Sequence, residues 1–500
     1  MAKIRALLIS VFLVALCGIV YELSIGNVST YLLGNSVLQY SLTIGFFMFS
    51  MGIGSYLSKY IKSELISIFI YIELSIAAVG GTSSVLLFYS YGFTNIYTMV
   101  MILITAIIGI MEGLEIPVIT RIIEENYRDI KISLSHVLSF DYLGALIGSL
   151  AFSLVLIPRL GIITTPFVFA LLNLFVAAIN IWVFYSEVKR RRWLVVSAAI
   201  TGIILVAGII FSPKISNVLE QKLYSDPVVL VKQTPYQKLV ITRRGDDLRL
   251  YIDGNLQFSS VDEYRYHEAL VLPAMSLLKD RSHVLIIGGG DGLAAREVLK
   301  YDDVKSITLV DLDKGMTDLF SKDGDLIEYN KNSLNNPKVN IVNQDGFKYL
   351  EKTKNHFNFI IVDLPDPNSE ELSRLYSLSF YRLMKKHLTD DGIAVVQSTS
   401  PYFAPKVFWS INKTIKAAGL NVYPYHLNVP SFGDWGFNMA SKKKLNIDDI
   451  KVRVKTRYLD DQVIKAMFSF GKDEMASDVG INRITNPIIL RYYQESWKHW

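Results

Sequence analysis

The residues most able to do chemistry are aspartates at the ends of apolar runs. "FIIVDLPDPNS" (359–369) passes from Phe359-Ile360-Ile361-Val362 into Asp363, Pro365, Asp366 and Pro367. "HVLIIGGGDG" ends in Gly288-Gly289-Gly290-Asp291-Gly292, "SITLVDLD" in Asp311 and Asp313, and "VNIVNQDG" in Asp345. A glycine-rich turn lets a ligand approach the backbone, and the helix after it favours an anion. Asp291 inside this turn would repel a pyrophosphate, which argues against a dinucleotide. An acid ending the second strand fits ribose hydroxyls, so Asp311 is a candidate there. Asp345 fits an exocyclic adenine amine. Asp291, Asp363 and Asp366 suit a cation. Each acid alone is as easily a turn former or a helix cap; a row of them at successive strand ends argues for a ligand.

These acids need a frame. From His283 onward, apolar strand patterns alternate with helical ones, the signature of a doubly wound α/β sheet, in which ligands bind beyond the carboxyl ends of the strands. Before it, "VVLVKQTPYQKLVITRRGDDLRLYIDGNLQFSS" alternates apolar and polar residues with turns at Gly245-Asp246-Asp247 and Asp253-Gly254-Asn255, which predicts a small antiparallel β unit. A helix is expected from Tyr264 to Leu278. Two domains follow from this pattern, a β unit over 222–262 and a Rossmann-like, methyltransferase-type domain over 263–500.

Residues 1–212 differ in kind. The chain is 51% hydrophobic, with mean hydropathy +0.31, and the apolar runs concentrate in this part. Runs near 6–25, 38–58, 65–90, 95–119, 136–157, 162–185 and 193–211 are long enough for a bundle of about seven transmembrane helices. Nothing resembles a cleaved leader. A net charge of +5 gives no case for nucleic acid, and the single cysteine, Cys17, rules out a Cys-based zinc site, so no metal is expected. Lys3, Arg5, Lys59, Lys62, Arg121, Arg128, Lys131 and Lys189 to Arg192 mark alternate loops, with only Arg159 and Lys214 on the other side. By the positive-inside rule the N-terminus is cytoplasmic, and seven spans carry the remainder outside. A re-entrant 193–211 segment would instead return it to the cytoplasm. Glu22, Glu73, Glu112, Glu115 and Asp141 lie in or near the spans, where ionisable groups are costly and often functional.

The C-terminal half resembles the polyamine aminopropyltransferases, the spermidine synthase family. The resemblance rests on "PYQ" (235–237), "LYIDGNLQFSSVDEYRYHEAL" (250–270), "VLIIGGGDGLAAREVLKY" (284–301), "VDLD" (310–313), "DG" (345–346), "VDLPDP" (362–367), "LYSLSFY" (375–381) and "DWGFNMAS" (434–441), which occur in the family's order. The N-terminal half, with Tyr21-Glu22, looks like that of the membrane-attached branch. The resemblance implies transfer of the aminopropyl group of decarboxylated S-adenosylmethionine to an amine, commonly putrescine, with release of 5′-methylthioadenosine. The donor is then a co-substrate, and no cofactor is implied. Asp363 becomes the general base, Asp366 a clamp for an amine, and Asp291 the partner of the donor's ammonium. Gln237, Gln257, Tyr266 and His267 line the groove, Asp311 takes the ribose and Asp345 the adenine. A multi-pass protein of the cell membrane and a homo-oligomer are also implied. Leu364-Pro365 and Asn368-Ser369 depart from the Ser/Thr and Gly-Pro of soluble members, and "NVPSFGDWGF" lacks the family's "TYPSG"-like tyrosine. Both departures fall on the acceptor side. Two other readings remain: a methyltransferase using intact S-adenosylmethionine, which the acid-rich turn opposes, and a polyamine transporter or sensor whose second half binds without catalysis.

Overall fold

The computed structural model describes residues 2–33, 36–127 and 130–496, without side chains at Ala2 and 126–133; Arg128 and the Lys131 side chain therefore lie outside the described residues. The chain divides into two compact units, Met1–Ser225 and Asp226–Trp500.

The first unit is helical: α1 (Ala2–Leu33), α2 (Ser36–Leu57), α3 (Leu65–Phe93), α4 (Tyr97–Tyr127), α5 (Ile130–Ala151), α6 (Ile157–Val183) and α7 (Arg191–Gln221). Six helical stretches are long and apolar enough to cross a membrane, by length and composition. One of them, Leu134–Val183, has 50 residues and contains the 136–157 run and all but the last two residues of the 162–185 run. A straight helix of that length would measure about 75 Å, against a bilayer core of about 30 Å. It is not straight, because Gly161 breaks it with φ 76° and ψ 177°. On α5, Gly144 lies against Phe12 and Gly148 against Leu16 and Ile19, so α5 runs in the direction of α1. On α6, the Phe169 carbonyl accepts from Cys17 and Asn180 donates to Ser10, so α6 runs the other way.

Small residues let these helices meet closely. A methyl group on Gly113 would lie 2.1 Å from the Met51 carbonyl oxygen, and one on Gly54 equally close to that of Ile110. Gly109 and Gly113, four residues apart on one face, let the α2 and α4 backbones touch, as in small-xxx-small packing. Two loops and the ends of α1 and α4 gather at one end of the unit: Lys3 pairs with Glu187, Lys189 pairs with Glu64, and Arg121 donates to the Ser58 and Ile61 carbonyls. This is the basic end. Gly202 meets Leu174, Gly208 meets Phe167, and Thr164 bonds Ser212, so α7 runs antiparallel to α6 along its whole length. The alternative of a re-entrant 193–211 segment does not fit, because 193–211 lies in one continuous 31-residue helix that ends away from the basic end.

In the second unit, β1 (Val228–Gln233), β2 (Lys238–Arg244), β3 (Asp247–Ile252) and β4 (Asn255–Ser259) form the expected antiparallel sheet in chain order. Then come α8 (Glu263–Leu277), β5 (His283–Gly288), α9 (Leu293–Val298), β6 (Ser306–Asp311), β7 (Val339–Asn343), β8 (Phe357–Asp363), β9 (Leu388–Gln397), β10 (Asn421–Val429) and β11 (Gly433–Ser441). The larger sheet has the order β10-β11-β9-β8-β5-β6-β7, with β5 to β9 mutually parallel and β10 and β11 antiparallel at one edge. Sequence patterning missed that edge hairpin. β5 and β8 are buried on both faces, which explains their unbroken apolar runs. α8 is buried on nearly every side: Leu270, Leu272 and Met275 enter the core between the two sheets, and Glu268 accepts the backbone N–H groups of Arg457, Tyr458 and Leu459.

The chain order reverses between β5 and β8, and there the register pairs Gly288 with Asp363. Gly288 has φ +84°, and a Cβ on it would lie 1.9 Å from the Asp363 carbonyl oxygen. Gly288→Ala therefore adds left-handed strain of about 1–3 kcal/mol to a backbone clash. Thermal unfolding of the purified chain should show a lower midpoint for the second unit; an unchanged midpoint would contradict this account of the turn.

Candidate active site

The carboxyl ends of β5, β6 and β8 bring Asp291, Asp311, Asp363 and Asp366 to one edge of the sheet. The Gly289 N–H donates to the Asp363 carbonyl at 3.1 Å, and the Gly290 N–H to Asp311 Oδ2 at 3.1 Å. The glycine turn is thus tied to the strands on both its sides. A Cβ on Gly290 would lie 2.6 Å from Asp311 Oδ2, so only glycine lets that carboxylate sit against the turn.

Asp363 is buried and held by α8. Tyr266 Oη donates to Asp363 Oδ1 at 2.6 Å, while Oδ2 points toward Gly289. Tyr266 packs edge-on against Phe432 and tilted against Phe437, so the edge hairpin fixes its ring. His267, next along α8, places Nδ1 2.8 Å from Glu263 Oε2, and Glu263 takes a two-pronged bond from Arg296, 2.9 Å on each side. Burial alone would lower the His267 pKa, but Glu263 outweighs it and raises it to about 9, with Asp291 and Asp363 adding to the effect. Burial opposes ionisation of Glu263, yet His267 and Arg296 hold its pKa at about 2. His267 is therefore a cation at neutral pH, positioned by a carboxylate and acting on two others.

Asp366 is held differently. Its Oδ1 accepts from Gln397 Nε2 at 3.3 Å and its Oδ2 from Thr399 Oγ1 at 3.1 Å. Gln397 also donates to the Leu364 carbonyl at 2.6 Å, and Tyr376 Oη to the Pro365 carbonyl at 2.9 Å. Two prolines and three polar side chains thus fix the turn between the two acids. Tyr376, Gln397 and Thr399 escaped the sequence reading, as did the Glu263–Arg296 pair. Tyr376 lies in the quoted "LYSLSFY" stretch, but the glutamine and threonine follow an apolar strand with no spacing to mark them.

The remaining candidates divide. Asp291 is 9% exposed and accepts the Leu293 N–H at 2.9 Å. Gln237 reaches the end of β6, donating to Asp313 Oδ2 at 2.9 Å. Asp345 already has partners: Oδ1 caps the following helix by accepting the Lys348 N–H, and Oδ2 pairs with Arg374. An adenine amine would have to displace that arginine or share the carboxylate with it. Gln257 donates to the Asn255 carbonyl within its own hairpin. Of the proposed set, these two are the ones the structure does not join to the acids. For metals, one group among the described residues, His426, Asp434 and Glu474, brings ligand atoms within 4.8 Å. There His426 Nδ1 meets Asp434 Oδ1 at 2.7 Å and Nε2 meets the Ser469 carbonyl at 2.7 Å, so both nitrogens are engaged.

Burial sets the electrostatics. It raises the Asp291 and Asp366 pKa values to about 6 and that of Asp311 to about 7. Burial also raises that of Asp363, against the lowering effects of His267 and the Tyr266 hydroxyl. Burial disfavours the charge of all four carboxylates, Asp363 adds to this at Asp291 and Asp291 at Asp311, and a cation among them restores it. The edge is built to receive positive charge.

The spermine/spermidine synthase domain family matches residues 263–451. Polyamine aminopropyltransferase 2 of Ralstonia nicotianae is 43% identical over 498 residues, covering 98% of this chain and 98% of that protein. The polyamine aminopropyltransferase of Oceanobacillus iheyensis is 42% identical, covering 98% and 96%. A spermidine synthase crystallised with the transition state analogue AdoDATO is 28% identical over 50% of this chain and 88% of that one, with a TM-score of 0.47.

Tyr266→Phe tests the coupling of α8 to Asp363. The hydroxyl favours the ionised carboxylate, so its loss raises the Asp363 pKa. A group that must be ionised then fails at a higher pH, and the acidic limb of the kcat/KM profile should move upward. A limb that stays in place would show that Asp363 does not set it.

Proposed function

Since the chain belongs to the polyamine aminopropyltransferase family, we propose that its strand-end acids bind decarboxylated S-adenosylmethionine and activate an amine, putrescine in the first instance, for attack on it. The observation that carries this reading is the pair of differently held carboxylates, Asp363 and Asp366, beside a glycine turn that itself contains Asp291. The donor's sulfonium and primary ammonium are both cationic, and Asp291 pairs with the ammonium. Intact S-adenosylmethionine carries a carboxylate that Asp291 and Asp363 would repel, which favours aminopropyl transfer over methyl transfer. Asp311 receives the ribose hydroxyls, and Gln237 lines the same end of the groove. His267 positions Asp291 and Asp363 by its charge. Gln257 and Asp345 keep their assigned places in the groove only if donor binding frees them from their present bonds.

The reaction follows from this arrangement. An aliphatic ammonium has a pKa near that of lysine, about 10.4, and must lose a proton to become a nucleophile. Asp363 Oδ2, the oxygen not held by Tyr266, takes that proton. The amine's lone pair forms a C–N bond to the aminopropyl carbon beside sulfur. The C–S bond breaks, its electron pair neutralises the sulfonium, and 5′-methylthioadenosine leaves. Asp366 has both oxygens fixed by donors, which suits a stationary clamp for a second ammonium better than a base.

In this reading residues 1–212 anchor the enzyme in the cell membrane, 222–262 form the small β unit and 263–500 the catalytic domain. The opposed directions of α5 and α6 support seven crossings. A homo-oligomer is part of the proposal by family likeness.

Release of methylthioadenosine tests the assignment. Asp363→Asn should bind the donor nearly as the parent does while turnover falls about 10²–10⁴-fold, and high pH should restore part of the rate as more amine becomes neutral. Asp366→Asn should raise the KM for the acceptor and gain nothing from high pH. An Asp363→Asn enzyme that keeps more than about a third of the parent turnover at neutral pH, well above that expected loss, would remove the base.

A further inference from the structure

The helical unit holds three glutamates that catalysis does not use. Glu73, Glu115 and Glu112 are 0%, 4% and 9% exposed, on α3 and α4. Asn173 donates to Glu73 Oε2 at 2.8 Å, and Tyr21 donates to Asn173 Oδ1 at 2.8 Å. Glu115 shares a hydrogen bond with Glu73. The Glu112 carboxylate lies over Gly18, where a methyl group would come within 2.4 Å of Oε2. Each glutamate keeps one oxygen, Oε1, buried without a partner. An uncompensated buried carboxylate costs several kcal/mol, and more in a bilayer, where water offers no relief.

A second observation extends the site. Buried hydroxyls in this unit commonly bond a carbonyl of their own helix, as Ser83 bonds Gly80 and Ser90 bonds Leu87. Ser24, Ser84 and Thr105 are 0%, 1% and 0% exposed and bond nothing. α1 and α3 leave the basic end and α4 returns to it. Ser24 therefore lies beyond Gly18, Ser84 beyond Glu73 and Thr105 beyond Glu112, each on the side away from the basic end. Unpartnered buried hydroxyls thus lie on α1, α3 and α4 on that side of the acids.

Compact ion coordination does not fit, because the three glutamates are absent from the groups of ligand atoms that close within 4.8 Å among the described residues. A bonded pair, Glu73 and Glu115, with Glu112 apart from it and hydroxyls beyond, suits an elongated ligand bearing more than one ammonium group. We propose that Glu73, Glu112 and Glu115 form a binding site for an aliphatic polyammonium ion inside the helical unit, separate from the catalytic acids. The ligand class rests on the aminopropyltransferase reading; the site does not.

Equilibrium binding of labelled spermidine to the full chain in lipid nanodiscs tests it. The parent protein should bind two equivalents, and the Glu73→Gln, Glu112→Gln double variant one, with methylthioadenosine release unchanged. Equal stoichiometry in the two proteins overturns the site. Should the double variant fold poorly, Asp363→Asn, Asp366→Asn protein serves instead. It should retain one equivalent, and retention of none means that the glutamates carry only protons and overturns the site. Missing binding with normal methylthioadenosine release sinks this proposal alone. A retained second equivalent without release sinks the catalytic reading alone.

Discussion

The second unit depends on a steric constraint at one pair of residues. β5 and β8 are adjacent and parallel where the strand order reverses, and their register sets Gly288 against Asp363 with no room for a side chain. That contact brings the glycine turn, with Asp291, beside the turn that carries Asp363 and Asp366. From it follow the desolvation of the acids, their raised pKa values and their appetite for a cation. The Gly289 N–H bond to the Asp363 carbonyl ties the two strands together at this register.

α8 converts this frame into a site. It is buried because it fills the core between two sheets, and its buried position forces each polar group on it to find a partner. Glu263 finds Arg296 and His267, Tyr266 finds Asp363, and Glu268 finds three backbone amides. The structural explanation of His267, a packed histidine bonded to Glu263, is compatible with the proposed functional one. Its ion pair with Glu263 is structural, and the charge that pair maintains acts on Asp291 and Asp363.

Much of this was legible in the sequence. Apolar runs ending in Gly288, Asp311 and Asp363 announced parallel strands and their shared edge, because a strand buried on both faces has no polar alternation. The turns at Gly245 and Gly254 announced the small sheet. What stayed hidden depends on tertiary partners. Gln397 and Thr399 become meaningful only when β9 lies beside β8. Arg374, just before the "LYSLSFY" stretch, occupies Asp345. The antiparallel β10–β11 edge went unread although "NVPSFGDWGF" holds the turn residues Pro430, Ser431 and Gly433, because Pro424 inside β10 obscures the strand. In the helical unit, the apolar runs marked the spans and their charged residues, but the break at Gly161 is a backbone conformation and the helix directions come from contacts and hydrogen bonds that no hydropathy window contains.

The central claim is that buried, partly protonated carboxylates become ionised when a cation enters among them. Calorimetric titration of decarboxylated S-adenosylmethionine into the full chain near pH 6, repeated in buffers of different ionisation enthalpy, measures this directly. With Asp291 and Asp366 at about 6 and Asp311 at about 7, donor binding should release protons, and the observed enthalpy should vary with the buffer accordingly. Donor binding with no proton release at that pH would contradict the account, because the acids would then have been ionised before the cation arrived.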